Sequence, residues 1–152
     1  MKILITNDDG IDSPGIHELA VQIEDAGYNA IVVAPDHNAS GTGTSVSGIA
    51  SDNPINFETA KISNFSGEVY SVAGAPAFCV LAAYMGAFGE APDIVVSGIN
   101  AGLNPGRAVA HSGTIGAGIA GQNFGMRSIA VSVDVTLPWH WSSAAAITVG
   151  LL

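Results

Sequence analysis

The chain has 152 residues and one cysteine, Cys79, so no internal disulfide framework is possible and a small secreted scaffold is excluded. Four Lys and Arg against 13 Asp and Glu give a formal net charge of −9, which leaves no basic patch for a phosphate backbone and excludes binding of a nucleic-acid duplex. Charged residues make up only 11% and the mean hydropathy is +0.41, yet no window reaches the roughly 18 consecutive apolar residues of a membrane span. The apolar start gives way to Asn7-Asp8-Asp9 too early for a secretory signal. The expectation is a cytoplasmic, globular chain forming one domain over residues 1–152, whose hydropathy reflects a buried parallel sheet.

Elements follow in an alternating order. Ile3-Leu4-Ile5 reads as the first strand. Ile16, Leu19, Ala20 and Ile23 then fall on one face of a helix, with Ser13 as its cap, Pro14 at its first position and Gly27 as its stop. Ala30-Ile31-Val32-Val33-Ala34 is a second buried strand. Residues 42–72 are polar and rich in Ser, Asn and Gly, and read as loops and short irregular strands ending in Glu68-Val69-Tyr70-Ser71-Val72. After Pro76 a helical run over Cys79, Val80, Ala83, Tyr84 and Ala87 leads to Gly89. Asp93-Ile94-Val95-Val96-Ser97 is a strand, the Gly-rich segment 112–125 a helix, and Ser128–Val133 a further strand. Strands that are apolar almost throughout, alternating with helices, predict a mostly parallel α/β sheet covered by helices on both faces, a Rossmann-like three-layer fold. The apolar run Ala144–Leu152 has no stop signal, and is expected either to be covered by a partner or to belong to a shortened version of a longer protein.

In such sheets ligands bind beyond the carboxyl ends of the strands. Those ends carry Asn7-Asp8-Asp9-Gly10, Pro35-Asp36-His37-Asn38-Ala39-Ser40-Gly41, Ser97-Gly98-Ile99-Asn100-Ala101-Gly102-Leu103-Asn104, and Asp134. Adjacent carboxylates repel unless a cation joins them, and hard divalent ions take carboxylate, amide and hydroxyl oxygens. Asp8, Asp9, Ser40 and Asn100 make an all-oxygen set for one divalent metal ion, Mg²⁺ or Mn²⁺; the competing reading is that Asp8 and Asp9 only shape a turn and cap a helix. His17, His37, His111 and His140 are scattered, without zinc spacing.

Ser112-Gly113-Thr114 opens a helix, where free N–H groups and the helix dipole attract an anion and the two hydroxyls add hydrogen bonds, although ordinary capping explains the same residues. Ser40–Ser45 reads either as a backbone nest for phosphate or as a plain loop. Gly116-Ala117-Gly118-Ile119-Ala120-Gly121 matches the dinucleotide fingerprint, with Asp134 near the ribose offset, but Arg107–Ser112 is a poor strand and the glycines fall within a helix, where close packing explains them. Arg107 and His111 are phosphate contacts or solvated loop residues, Trp139-His140-Trp141 is packing or an interface, and Cys79 is a core residue.

Taken together the motifs resemble the SurE family of "survival protein" 5'/3'-nucleotidases. The resemblance runs from Met1 to about Asp134, through residues 5–10 (Ile-Thr-Asn-Asp-Asp-Gly), Ser13–Ile16, Val33–Asp36, Ser40-Gly41, Ser97–Gly102, Asn104 and His111–Thr114. It implies a Rossmann-like fold and a metal-dependent phosphomonoesterase that hydrolyses nucleoside 5'- and 3'-monophosphates. The family's metal ligands carry over onto Asp8, Asp9, Ser40 and Asn100, and its phosphate site onto Asn104, Ser112, Gly113 and Thr114. Asp8 or Asp9 is the expected proton acceptor in catalysis, and a homodimer or higher homo-oligomer the expected assembly. Family members are usually longer, with a C-terminal part that adds sheet and an exchanged arm. The family's Gly-Thr-Pro-Ala-Asp-Cys reads Gly74-Ala75-Pro76-Ala77-Phe78-Cys79 here, and Arg107 and Ala108 replace acidic residues, both near the expected pocket. The competing function is a nucleotide- or phosphate-binding protein without turnover.

Overall fold

The computed structural model describes residues 1–46 and 56–152, so part of the polar stretch, residues 47–55, lies outside the described residues. Six strands form one sheet among the described residues: β1 (Lys2–Thr6), β2 (Asn29–Pro35), β3 (Phe57–Thr59), β4 (Val69–Val72), β5 (Ile94–Ala101) and β6 (Arg127–Val133). Their order is β3-β4-β2-β1-β5-β6, parallel throughout except for the antiparallel edge pair β3 and β4. The helices are α1 (Pro14–Asp25), α2 (Pro76–Tyr84), α3 (Gly113–Asn123) and α4 (Trp141–Val149), with a 3₁₀ turn at Gly106–Ala110. The fold is the expected α/β one, a mostly parallel sheet with helices on both faces.

Side chains alternate across a strand, so each central strand feeds two cores. Ile3, Ile5, Val32 and Val96 pack with Ile16, Leu19 and Ile23 of α1, while Leu4, Val33, Val72 and Val95 pack with Cys79 and Val80 of α2 and Ala117 of α3. The expected face of α1 is buried in full. Ser13, however, makes no side-chain cap; its Oγ accepts from Asn7 Nδ2 at 2.7 Å, so the hydroxyl ties the β1 loop to the helix start. Helix α2 stops at Tyr84, short of Ala87, because the chain reverses through Gly86 at φ +85°. Burial pushes the Cys79 thiol well above its ordinary pKa, as fits a core residue.

Strand β5 continues to Ala101, past Ser97, where the sequence reading ends it. Gly98 permits this: a Cβ there would lie 2.5 Å from the Val131 carbonyl oxygen, so only glycine lets β6 come this close, and the β5–β6 register shifts between Ser97 and Asn100. Trp139 and Trp141 pair at 4.8 Å and pack on the α1-side core. Helix α4 buries Ala145 and Thr148, and Ser142 Oγ accepts from Gln22 of α1 at 2.9 Å. Ile147 on its outer side is exposed. No helix among the described residues is long and apolar enough to cross a membrane.

Candidate active site at the β1–β5 switch point

Strand β1 is flanked by β2 and β5; the connection from β1 to β2 runs through α1 on one face of the sheet, and that from β5 to β6 through α3 on the other. The crevice of an open parallel sheet lies at such a reversal of strand order, beyond the carboxyl ends. It is here that Asn7-Asp8-Asp9 and Asn100 come together.

The β1 loop is fixed from beneath. Asn7, fully buried, donates Nδ2 to the Gly10 carbonyl at 2.9 Å as well as to Ser13. Gly10 has φ +96°, and a Cβ there would lie 3.1 Å from the His37 carbonyl, so the loop lies flat against the one that follows β2. Two backbone bonds join these loops: Ile11 N–H donates to the Pro35 carbonyl at 2.8 Å, and Ala39 N–H to the Asp8 carbonyl at 2.7 Å. Ser40 therefore follows directly on a residue bonded to Asp8; it is exposed, and its N–H donates to Asn38 Oδ1 at 2.9 Å.

Asp8 is 3% exposed, and its Oδ1 accepts from the Thr114 hydroxyl at 2.6 Å. Helix α3 approaches so closely that a Cβ on Gly113 would lie 2.7 Å from the Asp8 Cβ. Asp9 is half-buried and accepts from Ala101 N–H at 3.0 Å. Burial raises its carboxyl pKa, the Ala101 bond partly offsets this, and the neighbouring Asp8 charge adds to the rise. Asn100 donates Nδ2 to the Gly102 carbonyl at 2.6 Å, which leaves its side-chain oxygen as the atom available to a cation. Asn104 sits farther along the loop and donates to Ser132 Oγ at 2.8 Å.

At the start of α3, Ser112 Oγ accepts the Ile115 N–H at 3.1 Å, the capping arrangement. The hydroxyl proton of Ser112 and the first-turn N–H groups of Gly113 and Thr114 have no helical partner, as at any helix start. Thr114 is fully buried. The Ser40–Ser45 loop is a series of turns clamped to α3: Gly43 N–H donates to the His111 carbonyl at 3.0 Å, and a Cβ on Gly116 would lie 2.0 Å from the Gly43 oxygen. The fingerprint glycines thus lie inside α3 as contact points, Gly121 likewise facing Ser128 and Val95. Asp134 bonds locally to Val135 and Thr136. Arg107 and His111 are exposed.

This donor set fits a hard divalent cation. Among the described residues the only ion pairs join Met1 to Asp93 and Asp36 to His37, so neither Asp8 nor Asp9 has a basic partner. Asn7 Oδ1 is buried without a donor beside them. No three His, Cys, Asp or Glu side chains converge among the described residues. A cleft of ≈ 400 Å³ lined by Asp36, His37, Ala39, Thr42 and Gly74 adjoins the site through Ala39.

Reading the sequence did not find the Thr114–Asp8 bond, the Gly113 contact or the Ala101–Asp9 bond. They link residues about a hundred positions apart, and no local pattern signals them.

The family model "Survival protein SurE" matches residues 3–152. The chain is 43% identical over 137 residues to the 5'-nucleotidase SurE of Xylella fastidiosa, covering 90% of this chain and 49% of that protein. It is 40% identical over 152 residues to the 5'/3'-nucleotidase SurE of Shigella dysenteriae, covering 100% of this chain and 56% of the relative. The crystal structure of the SurE protein from Aquifex aeolicus superposes with a TM-score of 0.84 at 33% identity, over 99% of this chain and 58% of that one. The chain spans about half the length of the curated relatives it matches.

Proposed function

The chain belongs to the SurE family, and from that premise we propose that its β1–β5 crevice is a divalent-metal phosphomonoesterase centre acting on nucleoside 5'- and 3'-monophosphates. The relatives named above as 5'- and 5'/3'-nucleotidases support the substrate class. The observation that carries the reading is the pair of adjacent carboxylates without an ion-pair partner among the described residues, Asp8 held by Thr114 at the start of α3 and Asp9 by the Ala101 N–H of β5. Asp8, Asp9, Ser40 and Asn100 would hold one Mg²⁺ or Mn²⁺. When bound, such an ion supplies a Lewis acid for a phosphoryl oxygen and makes water more acidic.

The chain's own groups do the rest. Asp8 or Asp9 takes the proton of the attacking water. As the new O–P bond forms and the ester P–O bond breaks, charge grows on the phosphoryl oxygens. The Ser112 hydroxyl, the Gly113 and Thr114 N–H groups and the Asn104 amide stabilise that charge, aided by the positive end of α3. The nucleoside oxygen leaves and takes up a proton. In this proposal residues 1–152 act as one domain that self-associates, which the exposed apolar side chains of Ile147 and Leu151 support.

Phosphate release from a panel of nucleoside monophosphates, with and without Mn²⁺ or Mg²⁺, tests the reading. Release should require metal, and Asp8→Asn should lower it about 10²–10⁴-fold while the circular dichroism stays native. Metal-stimulated turnover retained in Asp8→Asn would overturn the site. Nucleotide binding by the folded chain without any release would replace the enzyme with a binding protein.

A further inference from the structure

We propose that Thr114 is a positioning residue whose side chain serves Asp8 rather than the phosphoryl group, so that the first turn of α3 acts as a clamp on the carboxylate. The inference rests on the reading that Asp8 holds a divalent cation.

A hydroxyl has one proton to give. Thr114 is fully buried and gives that proton to Asp8 Oδ1 at 2.6 Å, well within the range of an O–H···O hydrogen bond. The same proton cannot also serve a phosphoryl oxygen. What Thr114 offers an anion is its backbone N–H, which needs no particular side chain.

Two neighbours make the bond possible. Ser112 accepts the Ile115 N–H at 3.1 Å and so sets where the helix begins. Gly113 has no side chain, and a Cβ there would lie 2.7 Å from the Asp8 Cβ and 2.9 Å from its Oδ2; any larger residue would push the turn away. Threonine is branched at Cβ, which restricts its χ1 and with it the hydroxyl direction. Asp8 therefore has one carboxylate oxygen held by the clamp, and Oδ2 remains for the cation. Removing the hydroxyl frees the carboxyl group to rotate in its loop and strips a bond from a side chain that is 3% exposed.

The test is Mn²⁺ affinity of the substrate-free protein, read as free Mn²⁺ by electron paramagnetic resonance, for wild type, Thr114→Val and Thr114→Ser. Partners that orient a metal ligand typically change affinity about 10–100-fold, and Thr114→Val should weaken Mn²⁺ binding by that much. Thr114→Ser, which keeps the donor, should recover most of it. Inorganic phosphate affinity in the absence of metal should not change in Thr114→Val. Unchanged Mn²⁺ affinity with weakened phosphate binding would overturn the assignment and return the hydroxyl to the anion. A wild-type protein that binds no Mn²⁺ would overturn the cation reading beneath it, and the clamp with it. A measurement on the wild type alone guards against a variant that does not fold: the Thr114 hydroxyl proton should be seen by NMR as slowly exchanging and unmoved by inorganic phosphate. A proton that exchanges fast, or shifts when phosphate is added, would overturn the proposal.

Discussion

The first strand and the loop that follows it are buried alike and built of opposite materials. Ile3, Leu4 and Ile5 are 0% exposed and wholly apolar, and the next three residues, Thr6, Asn7 and Asp8, are 0%, 0% and 3% exposed and wholly polar. Neighbouring β5 repeats the change, from Val95 and Val96 to Ser97. The apolar half releases free energy in the ordinary way, with roughly 1.5–3 kcal/mol for each large side chain taken from water. The polar half is held by directed bonds instead: Asn7 donates to Gly10 and Ser13, Asp8 accepts from Thr114 and Asp9 from Ala101, and among the described residues no ion pair reaches either carboxylate. The strand anchors the sheet at one end and sets two carboxylates side by side at the other.

Breaking the apolar half should have the larger effect. Leu4 lies in the α2-side core, and Leu4→Ala should cost about 2–5 kcal/mol of unfolding free energy by urea titration, as buried Leu truncations do. The carboxylates lie outside that core, so phosphate release well below the melting temperature should fall far less than stability. A variant as stable as wild type would show that β1 is not an anchor.

Altering the polar half should change stability in the opposite direction. Burial and the Asp8 charge hold the Asp9 pKa above its ordinary value. Below that ordinary value both states carry the proton. As pH rises, the unfolded state loses its proton first, so stability falls through the window up to the folded pKa and stays lower above it. Asp9→Asn removes this loss. In metal-free buffer it should melt higher than wild type at neutral pH, with the gap closing in acid. Equal melting at all pH values would mean that the site carries no electrostatic strain at Asp9.

The same contrast explains what the sequence reveals and what it does not. Apolar alternation in Ile3–Ile5, Ala30–Ala34 and Ile94–Val96 is a local signal of burial, and it yields strands and sheet class directly. Asp8 and Asp9 stand out too, because charge at a strand tip contradicts the surrounding pattern, and the structure seats both at the end of β1 beside β5. The extension of β5 through Gly98 is hidden, since the apolar run stops at Val96 and only the approach of β6 shows why a glycine continues the strand. The Ser13 cap fails for a related reason: Asn7 claims the hydroxyl through a contact that helix-start rules do not include. Thr114 is the extreme case, read as a ligand of phosphate from its place at a helix start, while its side chain bonds a carboxylate 106 residues earlier.

A carboxylate outside the site gives the smallest effect and the sharpest control. Glu24, at the end of α1, accepts from the Ser66 hydroxyl at 2.5 Å and from the Ser66 N–H at 2.9 Å, and these bonds lower its pKa. The sign is therefore the reverse of that at Asp9. As pH falls the unfolded state takes up the proton first, so the contribution of Glu24 is present above its ordinary value and is lost as pH drops through the folded one. Glu24→Gln should melt slightly below wild type at neutral pH and together with it in strong acid, whereas Asp9→Asn melts above. The effect is small because the pair lies at the surface, where water and salt screen it. Melting curves of the two variants that move in the same direction at neutral pH would break the comparison, since the strain assigned to the strand tip would then belong to carboxylates of this acidic chain in general.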